Sequence, residues 1–81
     1  MRASPQQVVN AIEKTMRRIS NFKRNTKLTL RDIYDLAKYL GDEKIEYFAE
    51  QIEANYRAIE PAYDRIYKFL EKLLDTYKSV W

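Results

Sequence analysis

The sequence predicts an all-α fold, a compact bundle of three to four helices in a single domain of residues 1–81. The chain contains one glycine and two prolines, too few for the tight turns of a sheet. Apolar residues recur at three- and four-residue steps, which is the period of one helix face. Residues typical of helix ends interrupt this pattern. The predicted helices cover about 5–22, 30–40, 43–59 and 61–79, and the last two are either separate or one helix kinked at a proline.

The first predicted helix begins at a capping box. Ser4 is placed as the N-cap, Pro5 occupies the first helical position, and Gln7 follows at the position that completes the box. We expect a polar connection at 21–27, because Asn, Lys and Thr are frequent there and the apolar period stops. The buried face of this helix is predicted to consist of Val8, Val9, Ile12, Met16, Ile19 and Phe22.

The second predicted helix, about 30–40, also has a start signal. Thr29 is placed as its N-cap, and Asp32 is an acidic residue at the capping-box position. Leu28 and Ile33 have the spacing of a hydrophobic staple, which fixes the direction in which a chain enters a helix. We therefore expect a new helix to begin here.

The longest helical pattern follows the only glycine. Gly41 stands where a helix ends in the left-handed conformation, and Asp42 can cap the next helix. One helix across Pro61 would be on the order of 57 Å long, which favours a break, whereas the unchanged phase of the pattern favours continuity. We expect a tight turn or sharp kink at Pro61. The predicted core seam consists of Ile45, Ala49, Ile52, Tyr56, Ile59, Tyr63, Ile66, Leu70, Leu73, Tyr77 and Val80.

Charge is distributed unevenly along the chain. Residues 1–31 carry eight basic side chains and one acid, a balance of +7, and residues 32–81 carry −4, which gives the net charge of +3. The basic part either contacts an anionic partner or faces the acidic remainder of the same molecule. For the first alternative, the predicted nucleic-acid contacts are Lys14, Arg17, Arg18, Lys23, Arg24 and Lys27.

Two further surfaces are candidates for a protein partner. An uncharged strip of Tyr47, Gln51, Ala54 and Ala58 would let another backbone approach closely, either a helix of the same chain or a partner. The last predicted helix has a wide apolar arc, and a terminal aromatic residue either folds back on the core or anchors an interface. From this region, the predicted partner contacts are Tyr67, Leu74 and Trp81.

The composition argues against an enzyme. Neither Cys nor His occurs, which removes the usual nucleophile–base pairs and the commonest metal ligands. A single glycine does not allow a phosphate-binding loop. Carboxylate pairs such as Glu46 and Glu50 are best explained as a solvated helix face. We predict no catalytic residues, no metal and no cofactor.

Two short segments resemble known helical families. Residues 30–41 resemble the first helix and turn of a helix-turn-helix DNA reader, but acidic residues such as Glu46 and Glu50 would occupy the recognition helix and repel phosphates. Residues 54–63 resemble the junction between tetratricopeptide repeats, which implies a helix–turn–helix at Pro61. No 34-residue repeat accompanies this segment.

The sequence therefore predicts a small binding protein. No apolar segment approaches the roughly 18 residues of a membrane span, and no signal peptide is apparent, so we expect a cytoplasmic protein without membrane contact. The composition, rich in Lys, Glu, Ile and Tyr, is typical of thermophiles. The favoured function is a non-catalytic accessory or adaptor subunit that docks on a larger protein in a replication- or repair-type nucleic-acid-processing assembly. The alternatives are a stand-alone, sequence-neutral nucleic-acid-binding protein and a homo-oligomeric helical assembly that uses the seam from Ile45 to Val80.

Overall fold

The computed structural model describes residues 4–79, which form two long antiparallel helices. α1 spans Pro5–Leu40 and α2 spans Glu43–Ser79. The molecule is a rod of 57 × 23 × 18 Å with a radius of gyration of 18.0 Å, whereas a compact domain of this length would have about 12 Å. The all-α prediction is confirmed. The predicted compact bundle of three to four helices is wrong, because the described residues form two helices.

The predicted start of α1 is confirmed. The Ser4 hydroxyl accepts a hydrogen bond from the backbone N–H of Gln7 at 3.3 Å, and the Gln7 side chain accepts one from the backbone N–H of Ser4 at 2.9 Å. Pro5 is the first helical residue. This reciprocal pair satisfies two backbone donors that the first helical turn leaves free.

The predicted connection at 21–27 and the predicted helix start at Thr29 are wrong, because α1 continues through both without a break. The apolar pattern stops there for a different reason. Two positions on the side of α1 that faces α2 are occupied by Lys23 and Thr26, both partly buried. The pattern then resumes in phase at Leu30, which is buried. A polar residue at a core-facing position therefore hid the continuity of the helix.

The connection between the helices is a tight turn at Gly41 and Asp42. Gly41 adopts the left-handed conformation (φ 62°, ψ 32°), and its backbone N–H donates to the carbonyl oxygen of Ala37. The Asp42 carboxylate accepts a hydrogen bond from the backbone N–H of Lys44 at 2.9 Å and so caps α2. Both predictions, the glycine C-cap and the aspartate N-cap, are confirmed.

Pro61 lies inside α2, so the predicted turn there is wrong and the single-helix alternative is correct. A proline in a helix interior costs about 3 kcal/mol, because it removes one hydrogen bond and crowds the preceding turn. The Pro61 ring is exposed on the solvent side of α2, while Tyr56 and Tyr63 on the other side pack against α1. These apolar contacts, continued along both arms of α2, offset the local cost.

The core is a narrow line between the two helices. Only part of the predicted seam of α2 belongs to it: Ala49 and Tyr56 are buried, whereas Ile52, Ile59 and Ile66 remain 43–46% exposed. Val80 lies outside the described residues. Two helices in one layer bury a single contact line on each helix, so the rest of a wide apolar arc stays in solvent. The buried residues are Val9, Ile12, Ile19, Leu30, Ala37, Ala49 and Tyr56.

Both helices are amphipathic. Within residues 4–79, neither contains a segment that is long and apolar enough to cross a membrane.

Candidate nucleic-acid interface and partner-facing surfaces

Four of the six predicted nucleic-acid contacts lie together on the outer side of α1. Lys14, Arg17, Arg18 and Arg24 are exposed, and no ion pair within residues 4–79 involves them. Lys14, Arg17 and Arg18 line a shallow depression with Asn21. The helical spacing places these side chains on one face, because three to four residues make one turn. We call Lys14, Arg17, Arg18, Asn21 and Arg24 the basic stripe.

Lys23 lies on the opposite side of α1. Nine residues separate it from Lys14, which corresponds to two and a half helical turns. Its ammonium group forms a hydrogen-bonded ion pair with Asp64 of α2. The hydrogen bond to this carboxylate raises the pKa of Lys23 above its usual value, against a smaller opposing effect of desolvation. Lys23 thus joins the two helices and is not part of the basic stripe.

Lys27 lies on a charged face of the hairpin. It lines a groove between the helices with Arg31, Glu53 and Glu60. On this face the Tyr34 hydroxyl donates a hydrogen bond to the Glu53 carboxylate at 2.9 Å. Lys27 therefore has both acidic and basic side chains around it, and the acidic ones weaken the positive potential at this site.

Tyr34 and Tyr56 are two phenols at the helix interface whose ionisation is suppressed. Partial burial raises the pKa of Tyr34, and its hydrogen bond to Glu53 adds to the shift. Burial raises the pKa of Tyr56 to about 12, and the Glu60 carboxylate adds to the effect. Within the described residues, the Tyr56 hydroxyl makes no hydrogen bond of normal geometry. A phenol with a raised pKa stays neutral, which suits a packing role.

The predicted partner-facing strip of α2 lies on the surface turned away from α1. Tyr47, Gln51, Ala54 and Ala58 are all exposed. The Gln51 side chain donates a hydrogen bond to the Tyr47 hydroxyl at 2.8 Å, which orders the polar end of this strip. The packing alternative, in which the strip contacts another helix of the same chain, does not occur within residues 4–79.

The other three predicted partner contacts are placed differently. Tyr67 and Leu74 are partly buried on the side of α2 that faces α1. Tyr67 lines a groove with Ser20 and Lys23 of α1. Trp81 lies outside the described residues. Tyr67 and Leu74 therefore contribute to packing within the hairpin.

One surface was not singled out from the sequence. Along one face of α2, uncharged residues repeat at alternating four- and three-residue steps, and the large ones are 43–62% exposed. The signal was present, because Phe48 and Phe69 extend the isoleucine pattern at heptad spacing. The isoleucines were predicted only as members of the seam, either as core or as the contact of a homo-oligomer. We call this surface the apolar stripe: Phe48, Ile52, Asn55, Ile59, Ala62, Ile66 and Phe69.

The apolar stripe forms one wall of an uncharged groove. The facing wall on α1 consists of Phe22, Asn25, Thr26 and Thr29. The Phe22 ring packs against Tyr63 with a centroid distance of 5.1 Å and is still 40% exposed. The two broad faces of the hairpin thus differ, one charged and one apolar.

The arrangement offers binding surfaces of two kinds, cationic and apolar. Within residues 4–79, no three acidic side chains are close enough together to hold a metal ion. Comparison with known proteins adds no functional assignment: no protein-family model matches this chain, and searches of curated proteins and of solved structures give no significant match.

Proposed function

We propose that this protein is a non-catalytic accessory subunit of a nucleic-acid-processing assembly and that α1 contacts the nucleic acid. The observation that carries this proposal is the basic stripe, in which four exposed cations lie on one helix face and form no ion pair within residues 4–79. Arg and Lys contacts to phosphate dominate the affinity of nucleic-acid-binding proteins. Such contacts position a protein without specifying sequence.

The length of the stripe fits a short backbone segment. Lys14 and Arg24 are ten residues apart, which corresponds to about 15 Å along the helix axis. Beyond the stripe, Asp32 and Asp35 occur on the continuation of the same face, so the cationic patch has a definite end. A patch of this length covers a few phosphates, and binding by one copy should be weak and strongly dependent on salt.

The outer strip of α2 is the proposed contact to a larger protein. Tyr47, Gln51, Ala54 and Ala58 are uncharged and point away from the basic stripe on α1. Small side chains such as Ala54 and Ala58 allow a partner helix to approach closely. Substitution of both alanines by arginine should then abolish recovery of the partner in a complex purified from the source cells, while nucleic-acid binding by the isolated protein persists.

The nucleic-acid contact is tested by binding of a fluorescent oligonucleotide over a series of salt concentrations. The native protein should bind single- and double-stranded DNA without sequence preference. If all four cations contact phosphates of duplex DNA, the logarithm of the association constant should fall with the logarithm of salt concentration with a slope of about −3 to −4.

A matched pair of variants makes this test specific. Arg17→Glu with Arg18→Glu should abolish binding. Lys68→Glu with Lys72→Glu makes the same change in net charge on the exposed surface of α2 and should retain most of it. Equal loss in both double variants would mean that only the overall charge matters, and unchanged binding in the first would exclude the basic stripe.

A further inference from the structure

We propose that the apolar stripe of α2 is covered by a second copy of this chain, in an antiparallel, two-fold symmetric dimer of hairpins. This proposal does not depend on nucleic-acid binding. Its starting point is exposure: Phe48 and Phe69 are 60% and 62% exposed, and Ile52, Ile59 and Ile66 between them are 43–46% exposed. Apolar residues in a continuous line of this length are rare on monomeric surfaces.

The surface area of the hairpin supports a dimer. Its accessible surface is 6786 Å², whereas a globular monomer of this mass exposes about 5,200 Å². The excess of roughly 1,600 Å² lies within the range that one subunit of an obligate homodimer buries, about 1,000–2,500 Å². A second layer of two helices would bring the exposed area per chain into the normal range.

The order of residues along the stripe favours a second copy over an unrelated partner. From Ile59 towards either end, the stripe continues with a smaller residue, an isoleucine and a phenylalanine. The smaller residues are Asn55 on one side and Ala62 on the other. A two-fold axis near Ile59 would therefore place phenylalanine beside phenylalanine and isoleucine beside isoleucine, with the Phe48 end of one copy next to the Phe69 end of the other and the small Ala62 opposite Asn55. Such self-complementarity is what an isologous interface requires.

Charge also favours this face over the opposite one. The groove beside the stripe is lined by uncharged residues such as Phe22, Thr29 and Ile52. The opposite face carries Lys27, Glu53 and their charged neighbours. The groove lining itself therefore adds no charge that would have to be desolvated when two copies meet. The same lack of charge argues against nucleic acid or an anionic lipid surface as the occupant.

Sedimentation equilibrium of the full chain tests the dimer. The native protein should have about twice the monomer mass of 9.8 kDa at micromolar concentration, and Ile59→Asp should shift it to a monomer with retained helical circular dichroism. Leu28→Asp is the matched control, because Leu28 has similar exposure, 47%, but lies on α1 outside the stripe; it should remain a dimer. A native protein that stays monomeric, or an Ile59→Asp variant that stays dimeric, would overturn the proposal.

Crosslinking tests the orientation of the two copies, and its result does not depend on whether the Ile59→Asp variant folds. The chain has no cysteine, so a short bis-maleimide reports only on introduced thiols. Ile59→Cys should crosslink to itself, near the axis. Phe48→Cys alone should not, but a refolded mixture of Phe48→Cys and Phe69→Cys should give the mixed product. Self-crosslinking of Phe48→Cys would indicate parallel pairing, and no crosslink at any of the three positions would refute the interface.

Discussion

Lys23 of α1 and Asp64 of α2 form an ion pair across the hairpin although 41 residues separate them in the sequence. The pair joins the two helices next to the packed rings of Phe22 and Tyr63, whose centroids are 5.1 Å apart. Both side chains are partly exposed, at 30% and 48%, so solvent weakens their attraction. We therefore expect the pair to align the helices and to contribute little to the free energy of unfolding.

A charge swap tests this alignment. Lys23→Glu should lower the free energy of unfolding, because two carboxylates then face each other. Asp64→Lys in the same protein should restore most of the loss. Urea denaturation of the two single variants and the double variant measures the coupling. Independent, additive effects would show that the two positions do not face each other.

Substitution of Pro61 should stabilise the protein. Pro61→Ala restores a backbone hydrogen bond and a good helix former at an exposed position inside α2. The free energy of unfolding should rise by up to about 3 kcal/mol, the usual cost of proline in a helix interior. Thermal and urea denaturation measure the change. Ala58→Pro, on the same outer surface, should have the opposite effect. A destabilised Pro61→Ala variant would contradict the cost assigned to the proline.

The turn should be sensitive to backbone conformation alone. Gly41 has φ 62°, and no atom lies within 4 Å of the position that a Cβ would occupy. Gly41→Ala should therefore lower the free energy of unfolding by about 1 kcal/mol through left-handed strain without a steric clash. Gly41→Asn should cost less, because asparagine tolerates this conformation better. Equal losses in the two variants would mean that the turn adopts another conformation in solution.

Stability should decline at alkaline pH. The pKa values of Lys23, Tyr34 and Tyr56 are raised in the folded protein, so the unfolded chain releases these protons first. Their contribution is complete below about pH 10, the ordinary range of these groups, and is lost as pH rises through the folded-state values. Urea midpoints between pH 8 and 12 should fall accordingly.

Tyr56→Phe isolates one group in this decline. The variant removes a buried hydroxyl that makes no hydrogen bond of normal geometry, so its stability at neutral pH should be unchanged or slightly higher. The pKa of Tyr56 in the folded protein is about 12. Between pH 10 and that value, the stability of the variant should therefore fall less steeply than that of the native protein. Tyr39→Phe is the control, because Tyr39 is 84% exposed. Identical pH profiles of Tyr56→Phe and the native protein would contradict the assignment.

The helix ends with direct local chemistry were predictable from sequence. The caps at Ser4, Gly41 and Asp42 are the predicted ones, because their hydrogen bonds join residues two to four positions apart. Helix continuity was not predictable in the same way. Lys23 at a core-facing position is explained only by Asp64, which is distant in sequence. Local rules therefore placed a connection where tertiary contacts maintain a helix.

The number of helix layers that pack together could not be predicted from local sequence patterns either. The pattern Ile52, Ile59, Ile66 identifies a face that needs covering, but periodicity does not say whether the cover comes from the same chain. In the hairpin these residues are left beside the contact line with α1. Arg17 and Arg18 lie within the predicted first helix, and their predicted exposure follows from its period. Lys23 lies beyond the predicted end of that helix, so the side of α1 on which it lies could be derived only once the true helix boundaries were known.

The two-residue turn also determines the order in which the contacts between α1 and α2 form during folding. Facing residues are separated by 19 positions at Tyr34 and Glu53 but by 41 at Lys23 and Asp64. Because the entropy lost on closing a loop grows with its length, contacts beside Gly41 form most readily and bring the next pair within reach. Assembly should proceed as a zipper from the turn, and amide hydrogens at the far ends of both helices should exchange with solvent first.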